Sequence, residues 1–161
     1  MPQTKNRIIL NIILSFSVLA LISAYFIQYI LGHQPCNLCL IERIPYFIAI
    51  IVIIVNFIIK GYEKKFILSL ILIFSFATIL SFYHFGIEQG FFKESFVCDL
   101  SVKNTNLTPE GILKELKEAK ISCKNITFKF LGISLATINT IISLIISTIL
   151  INILLDYEKN K

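Results

Sequence analysis

Charge placement constrains this chain more than any other feature: Asp, Glu, Lys and Arg are absent from four long stretches. The first lies between Arg7 and Glu42 and is strongly apolar from Ile8 to Leu31, where Gly32, His33, Gln34 and Pro35 break it. As a helix rising ~1.5 Å per residue it reaches about 36 Å, enough to cross a hydrocarbon core of ~30 Å. Phe66 to Ile87 and Phe130 to Leu155 are also long enough. The remaining run, Ile44 to Ile59, makes only about 24 Å of helix, so something charged must share its span. Arg43, Lys60 or both are expected at the lipid boundary with the head turned toward water. Pro45 falls near the start of that helix, where a missing N–H costs least. Lys5 and Arg7 imitate the start of a signal peptide, but a cleavable apolar core is usually about 7–15 residues long, so the first run is read as a retained anchor.

Hydrophobic residues make up 56% of the chain and charged ones 16%, against about 45–50% and about 25% in soluble domains, which excludes that class. Disorder is excluded as well, because it requires low hydrophobicity. The expected fold is an all-α integral membrane protein, a single domain over 1–161. It forms a four-transmembrane-helix antiparallel bundle with spans near 8–31, 41–59, 66–87 and 130–155, since helices satisfy their own backbone groups in lipid. Two extracytoplasmic loops, near 32–40 and 88–129, carry the cysteines. The small residues available for close helix packing include Ser15, Ser17, Ser23, Ser69, Ser75, Ala77, Ser143 and Ser147.

An even number of spans puts both termini on one side. The connection from Lys60 to Lys65 holds three lysines and shares that side with Lys5, Arg7, Lys159 and Lys161; by the positive-inside tendency it is cytoplasmic. Seven lysines lie in the opposite long loop, but six acidic residues there nearly neutralise them. A solvated mixed-charge face explains them better than a phosphate track, so the net charge of +5 does not point to nucleic acid. Within that loop Thr108-Pro109-Glu110 reads as a helix start, with Ile112, Leu113 and Leu116 on one face. Such a helix lies on the membrane surface or packs on the loop.

All four cysteines fall outside the spans and on the outer side: Cys36 and Cys39 in the first loop, Cys98 and Cys123 in the second. Disulfides persist in that compartment, so bonded or redox-active thiols are expected. Cys36-Asn37-Leu38-Cys39 stands where the chain enters the second span, and a thiol at a helix start is acidified by the macrodipole and free N–H groups. Arg43, one turn beyond Cys39, is expected to hold the Cys39 thiolate at the bilayer rim, with Glu42 partly opposing it or pairing with Arg43. A disulfide joining Cys98 and Cys123 across polar loop is expected to be a flexible, exposed and readily exchanged link. Three pairings of the four cysteines remain open.

These features together resemble the DsbB family of bacterial disulfide bond formation proteins. The resemblance is carried by Gln34-Pro35-Cys36-Asn37-Leu38-Cys39-Leu40-Ile41-Glu42-Arg43, by Tyr83-His84-Phe85-Gly86-Ile87-Glu88 leading to Cys98-Asp99, and by Phe130-Leu131-Gly132-Ile133-Ser134. It implies an inner-membrane thiol:quinone oxidoreductase that reoxidises a periplasmic DsbA-like thioredoxin-fold partner. Cys98 would form the mixed disulfide with Cys123 as its mate, one of them would pass electrons to Cys36, and Cys39 would lie against ubiquinone or menaquinone near Arg43. A DsbA-type oxidant, near about −120 mV, needs a stronger sink or a kinetic drain, and membrane quinone supplies one. Arg43 and His84 are the candidate polar groups for the quinone carbonyls.

Other readings compete at each position. His84 also fits an interfacial histidine bonded to water or backbone, and Tyr25, Tyr29, Tyr46 and Tyr83 fit an aromatic belt. His33, Cys36 and Cys39 have metal-ligand side chains, but zinc sites usually combine two close-spaced couples, and no metal is expected. The four cysteines also suit two permanent bridges in a non-enzymatic membrane protein. Vitamin K epoxide reductases likewise set a C-x-x-C beside quinone, but their motif usually sits elsewhere in the chain.

Overall fold

A computed structural model describes residues 2–59, 61–93, 98, 123, 129–130 and 132–159. Helix α1 runs Pro2–Tyr29, α2 Asn37–Ile41, α3 Arg43–Ile58, α4 Glu63–Glu88 and α5 Leu135–Lys159. α2 and α3 form one continuous apolar segment, so four helical segments are long and apolar enough to cross a membrane. The protein is a four-helix membrane protein.

The segment ends follow from local chemistry. α1 stops at Tyr29 because Gly32, at φ +72°, turns the chain, and the N–H groups of Ile30, Leu31 and His33 return to the carbonyls of Phe26 and Ile27. This satisfies carbonyls that a helix end otherwise leaves open. The short second run reaches a full span, Asn37–Ile58 over 22 residues, because α2 is added ahead of it. Glu42 is a joint between α2 and α3 (φ −62°, ψ −17°). Pro45 accounts for the joint: it has no N–H to donate to the carbonyl of Ile41, one turn back. The charges sharing this span are therefore Glu42 and Arg43; Lys60 lies outside the described residues.

The fourth run does not begin as helix. Lys129–Phe130 pairs antiparallel with Ile133–Ser134 as a two-residue hairpin, strands β1 and β2, and Gly132 at φ +84° makes its turn. Ser134 then caps α5, its Oγ accepting from the N–H of Thr137 at 3.2 Å, as hydroxyls do at helix starts. The helix expected after Thr108 lies outside the described residues.

α4 and α5 pack most extensively, α1 packs on α3, and α3 on α4, while α1 touches α5 only sparsely. Small side chains permit the α4–α5 approach: Ala77 and Ser143 are fully buried, and Ser75 and Ser147 hydrogen-bond across the seam at 3.1 Å. Phe74, Ile53, Leu70 and Leu150 fill the centre. Ile12, Leu19, Phe47, Leu72, Phe76 and Leu144 point outward and are exposed, a distribution suited to lipid as solvent.

Candidate functional site

Cys36 is the N-cap residue of α2, and its Sγ accepts from the N–H of Cys39 at 3.3 Å. One helical turn brings the Sγ of Cys39 to 2.8 Å from that of Cys36; neither is in a disulfide. α4 delivers His84, buried to 2% exposure, with Nε2 at 3.5 Å from Cys36 Sγ. Its Nδ1–H donates to Glu42 Oε1 at 2.7 Å, which orients the ring. Glu42 Oε2 accepts from Asn139 Nδ2 of α5 at 2.8 Å, and Tyr46 donates its hydroxyl to Asn139 Oδ1. A buried polar chain thus links Cys36, His84, Glu42, Asn139 and Tyr46 across three of the membrane segments. Buried polar groups are tolerated in lipid when partnered like this.

The pair is unequal. Hydrogen bonding from Cys39 is the largest influence on the Cys36 thiol and outweighs burial; with His84 beside it, it holds the group at about 5, well below the ordinary 9.0. The acidified thiol is therefore Cys36, through the Cys39 and His84 side chains, and not the Cys39 thiolate that the sequence led one to expect. Arg43 does not make up the difference. Its guanidinium donates to Gln28 Oε1 at 2.6 Å and lies 5.0 Å from the ring centre of Tyr25, so its charge is engaged with α1. Nor does Glu42 pair with Arg43; its carboxylate is taken by His84 and Asn139.

Cys98 and Cys123 are joined in a disulfide with Cα atoms 5.8 Å apart. The expected exposed link is buried instead, at 7% and 2% exposure. It packs with Cys36, Leu38 and Ile87 in one cluster, so both cysteine pairs share one apolar pocket. After α4 the chain folds back: the N–H groups of Phe91 and Phe92 bond to the Gly86 carbonyl, and the Phe92 ring sits where a Cβ on Gly86 would be. Phe92 also stacks on Tyr83.

The sparse contact between α1 and α5 leaves a cavity of about 640 Å³. Ala20, Ala24 and Ile27 of α1 face Ala136, Asn139 and Ile142 of α5 across it, and Cys36, Cys39, Arg43, His84, Glu88 and Cys123 line its walls. The structure thus gathers Cys36, Cys39, Arg43, His84 and Cys123 around one space, and Cys98 is bonded to Cys123. Sequence reasoning missed Asn139, Tyr46 and Glu88. Asn139 and Glu88 are polar residues within or at the end of apolar runs, a signal in itself. Tyr46 is not a belt residue: it is buried to 6% exposure in the polar chain.

A family model described as "Disulfide bond formation protein DsbB" matches residues 6–153. The chain is 29% identical over 165 residues to "Uncharacterized protein RP370" of Rickettsia prowazekii (strain Madrid E), covering 99% of this chain and 93% of that one. No solved structure matches.

Proposed function

This chain belongs to the DsbB family of disulfide bond formation proteins, and we propose that it is an inner-membrane oxidoreductase passing electrons from a periplasmic DsbA-like dithiol to membrane quinone. The observation that carries this reading is the meeting of both cysteine pairs in one buried cluster at the wall of an apolar cavity. In the first step the Cys98–Cys123 bond, buried at rest, is uncovered as the partner docks; a thiolate of the partner attacks Cys98, a mixed disulfide forms and Cys123 leaves. The second partner thiol then releases the partner as a disulfide, leaving Cys98 and Cys123 reduced by two electrons. In the second step one of these thiolates attacks Cys36 of a Cys36–Cys39 disulfide and Cys39 leaves; the other attacks in turn, Cys36 leaves, and the Cys98–Cys123 bond re-forms. Cys36, held at about 5, is the leaving group of the second exchange, the one that re-forms Cys98–Cys123, and low leaving-group pKa speeds that exchange.

The cavity suits a quinone: about 640 Å³ falls within the ~300–1,000 Å³ of ligand sites, and its walls combine apolar side chains with polar groups that include Arg43 and His84. Arg43 and His84 would hold the ring and Cys39 would face it; bound quinone supplies a two-electron, two-proton acceptor. Glu42 orients the His84 ring so that Nε2 stands beside the Cys36 thiol. The lysine distribution supports cytoplasmic termini and periplasmic cysteines.

The purified protein, given a reduced DsbA-type partner and a short-chain ubiquinone or menaquinone, is expected to oxidise the partner and reduce the quinone. Cys39→Ser is expected to abolish quinone reduction. Undiminished turnover in that variant would overturn the assignment.

A further inference from the structure

The geometry points to a zinc-class cation site formed by Cys36, Cys39, His84 and Glu88 when the thiols are reduced. The donor atoms of Cys36, Cys39 and His84 all lie within 4.8 Å of one another. Two thiolates and an imidazole form the donor set that zinc, a borderline-soft ion without geometric preference, takes readily.

Two further observations point to a ligand. Glu88 Oε1 lies 3.8 Å from His84 Nε2, and its side chain is only 6% exposed. Ser134 hydrogen-bonds the Glu88 carboxylate, but its Oε2 is buried with no hydrogen-bond partner among the described residues, and the residue lines the same cavity as the thiols. A buried carboxylate oxygen left without a partner is costly, and a cation would satisfy it. The second observation is the rear of the imidazole. Nδ1 is bonded to Glu42, leaving Nε2 toward the thiols, which is the carboxylate–histidine arrangement that orients metal-ligating histidines. His33, the histidine adjacent in sequence, is not needed.

With metal–ligand bonds of about 2.0–2.3 Å, the edges of a tetrahedral site run roughly 3.3–3.8 Å. The two Sγ atoms, 2.8 Å apart, have to part by roughly 1 Å, a side-chain rotation. Binding forms two metal–thiolate bonds and a bond to His84 Nε2, releases the proton on Cys39 and the one shared between Cys36 and Nε2, and transfers no electrons. A Cys36–Cys39 disulfide has no thiolate to give, so the site exists only in the reduced pair, and the cation locks that pair reduced. This holds whatever the electron acceptor.

The test uses Co2+ as a spectroscopic stand-in for zinc on the full-length Cys98→Ala/Cys123→Ala protein, which removes the other thiols, without quinone or partner. Expected is one Co2+ per reduced chain, with thiolate charge-transfer and tetrahedral d–d bands displaced by Zn2+, and loss of those bands when Cys36 and Cys39 are oxidised in the same protein. Glu42→Gln is expected to weaken binding about 10–100-fold, and Glu88→Gln to weaken it and change the d–d bands. If the double variant fails to fold, zinc protection of Cys36 and Cys39 from alkylation in the otherwise unaltered protein is the readout. Binding that survives oxidation, or no binding and no protection, overturns the site. Neither outcome bears on turnover with quinone, so its failure is distinct from failure of the electron route.

Discussion

Cys36 and Cys39 carry the same thiol three residues apart, and their surroundings divide them. Cys36 occupies the cap position, with the Cys39 thiol at 2.8 Å, His84 facing it and the N–H of Cys39 donating to it, so its anion is stabilised by groups already in place. In metal-free buffer containing EDTA, alkylation of Cys36 is expected to be half-maximal near pH 5 and flat through neutrality; a midpoint near the ordinary 9.0 would remove the basis of the leaving-group argument. The linkage has a definite sign. A thiol whose folded value is depressed from 9.0 to about 5 contributes stability that is complete above 9 and is lost as pH falls through 5. The C-x-x-C spacing and the advantage of a helix start are visible in the sequence. Which cysteine receives that advantage is not, because it depends on the helix beginning at Asn37 and on His84 arriving from another segment. Arg43 shows the same limit: spacing sets it one turn from Cys39, but Gln28 and Tyr25 of α1 decide where its charge goes.

At the level of elements, uncharged runs mark where helices lie, and glycine, proline and a capping serine mark where they bend or stop. The span through Ile44–Ile59 was legible as too short, and Pro45 was visible, yet the remedy, a jointed extension back to Asn37 with Glu42 at the break, depends on Glu42 finding partners on two other segments. Residues 130–134 follow the hydropathy of a span but obey Gly132 and Ser134 instead, giving a hairpin and a cap. Between segments, the α4–α5 seam rests on small side chains, which the sequence displays without saying which face each other. Ser147 is buried against Ser75, so Ser147→Leu is expected to overpack the seam and cost about 1–3 kcal/mol. Reversible unfolding in detergent against the unaltered protein measures it; an unchanged midpoint would mean that the helices do not meet there.

At the scale of the molecule, the bundle is closed on three seams and loose on the fourth. Hydropathy reveals the number of segments but is silent on their arrangement, so the gap between α1 and α5 and the cavity behind it appear only once helix packing is known. Ala24 and Ala136 face that gap, and Ala24→Phe is expected to narrow it. For the proposed activity this raises the KM for quinone several-fold while the Cys98–Cys123 pair still exchanges with its partner; an unchanged KM would place the acceptor elsewhere. The loose seam has a kinetic consequence. If the proposed activity holds, a doorway between two helices admits molecules already dissolved among acyl chains, so resupply becomes diffusion in a plane, and throughput at saturating dithiol tracks the number of acceptors per unit area of bilayer and the viscosity of its interior, not any concentration in water.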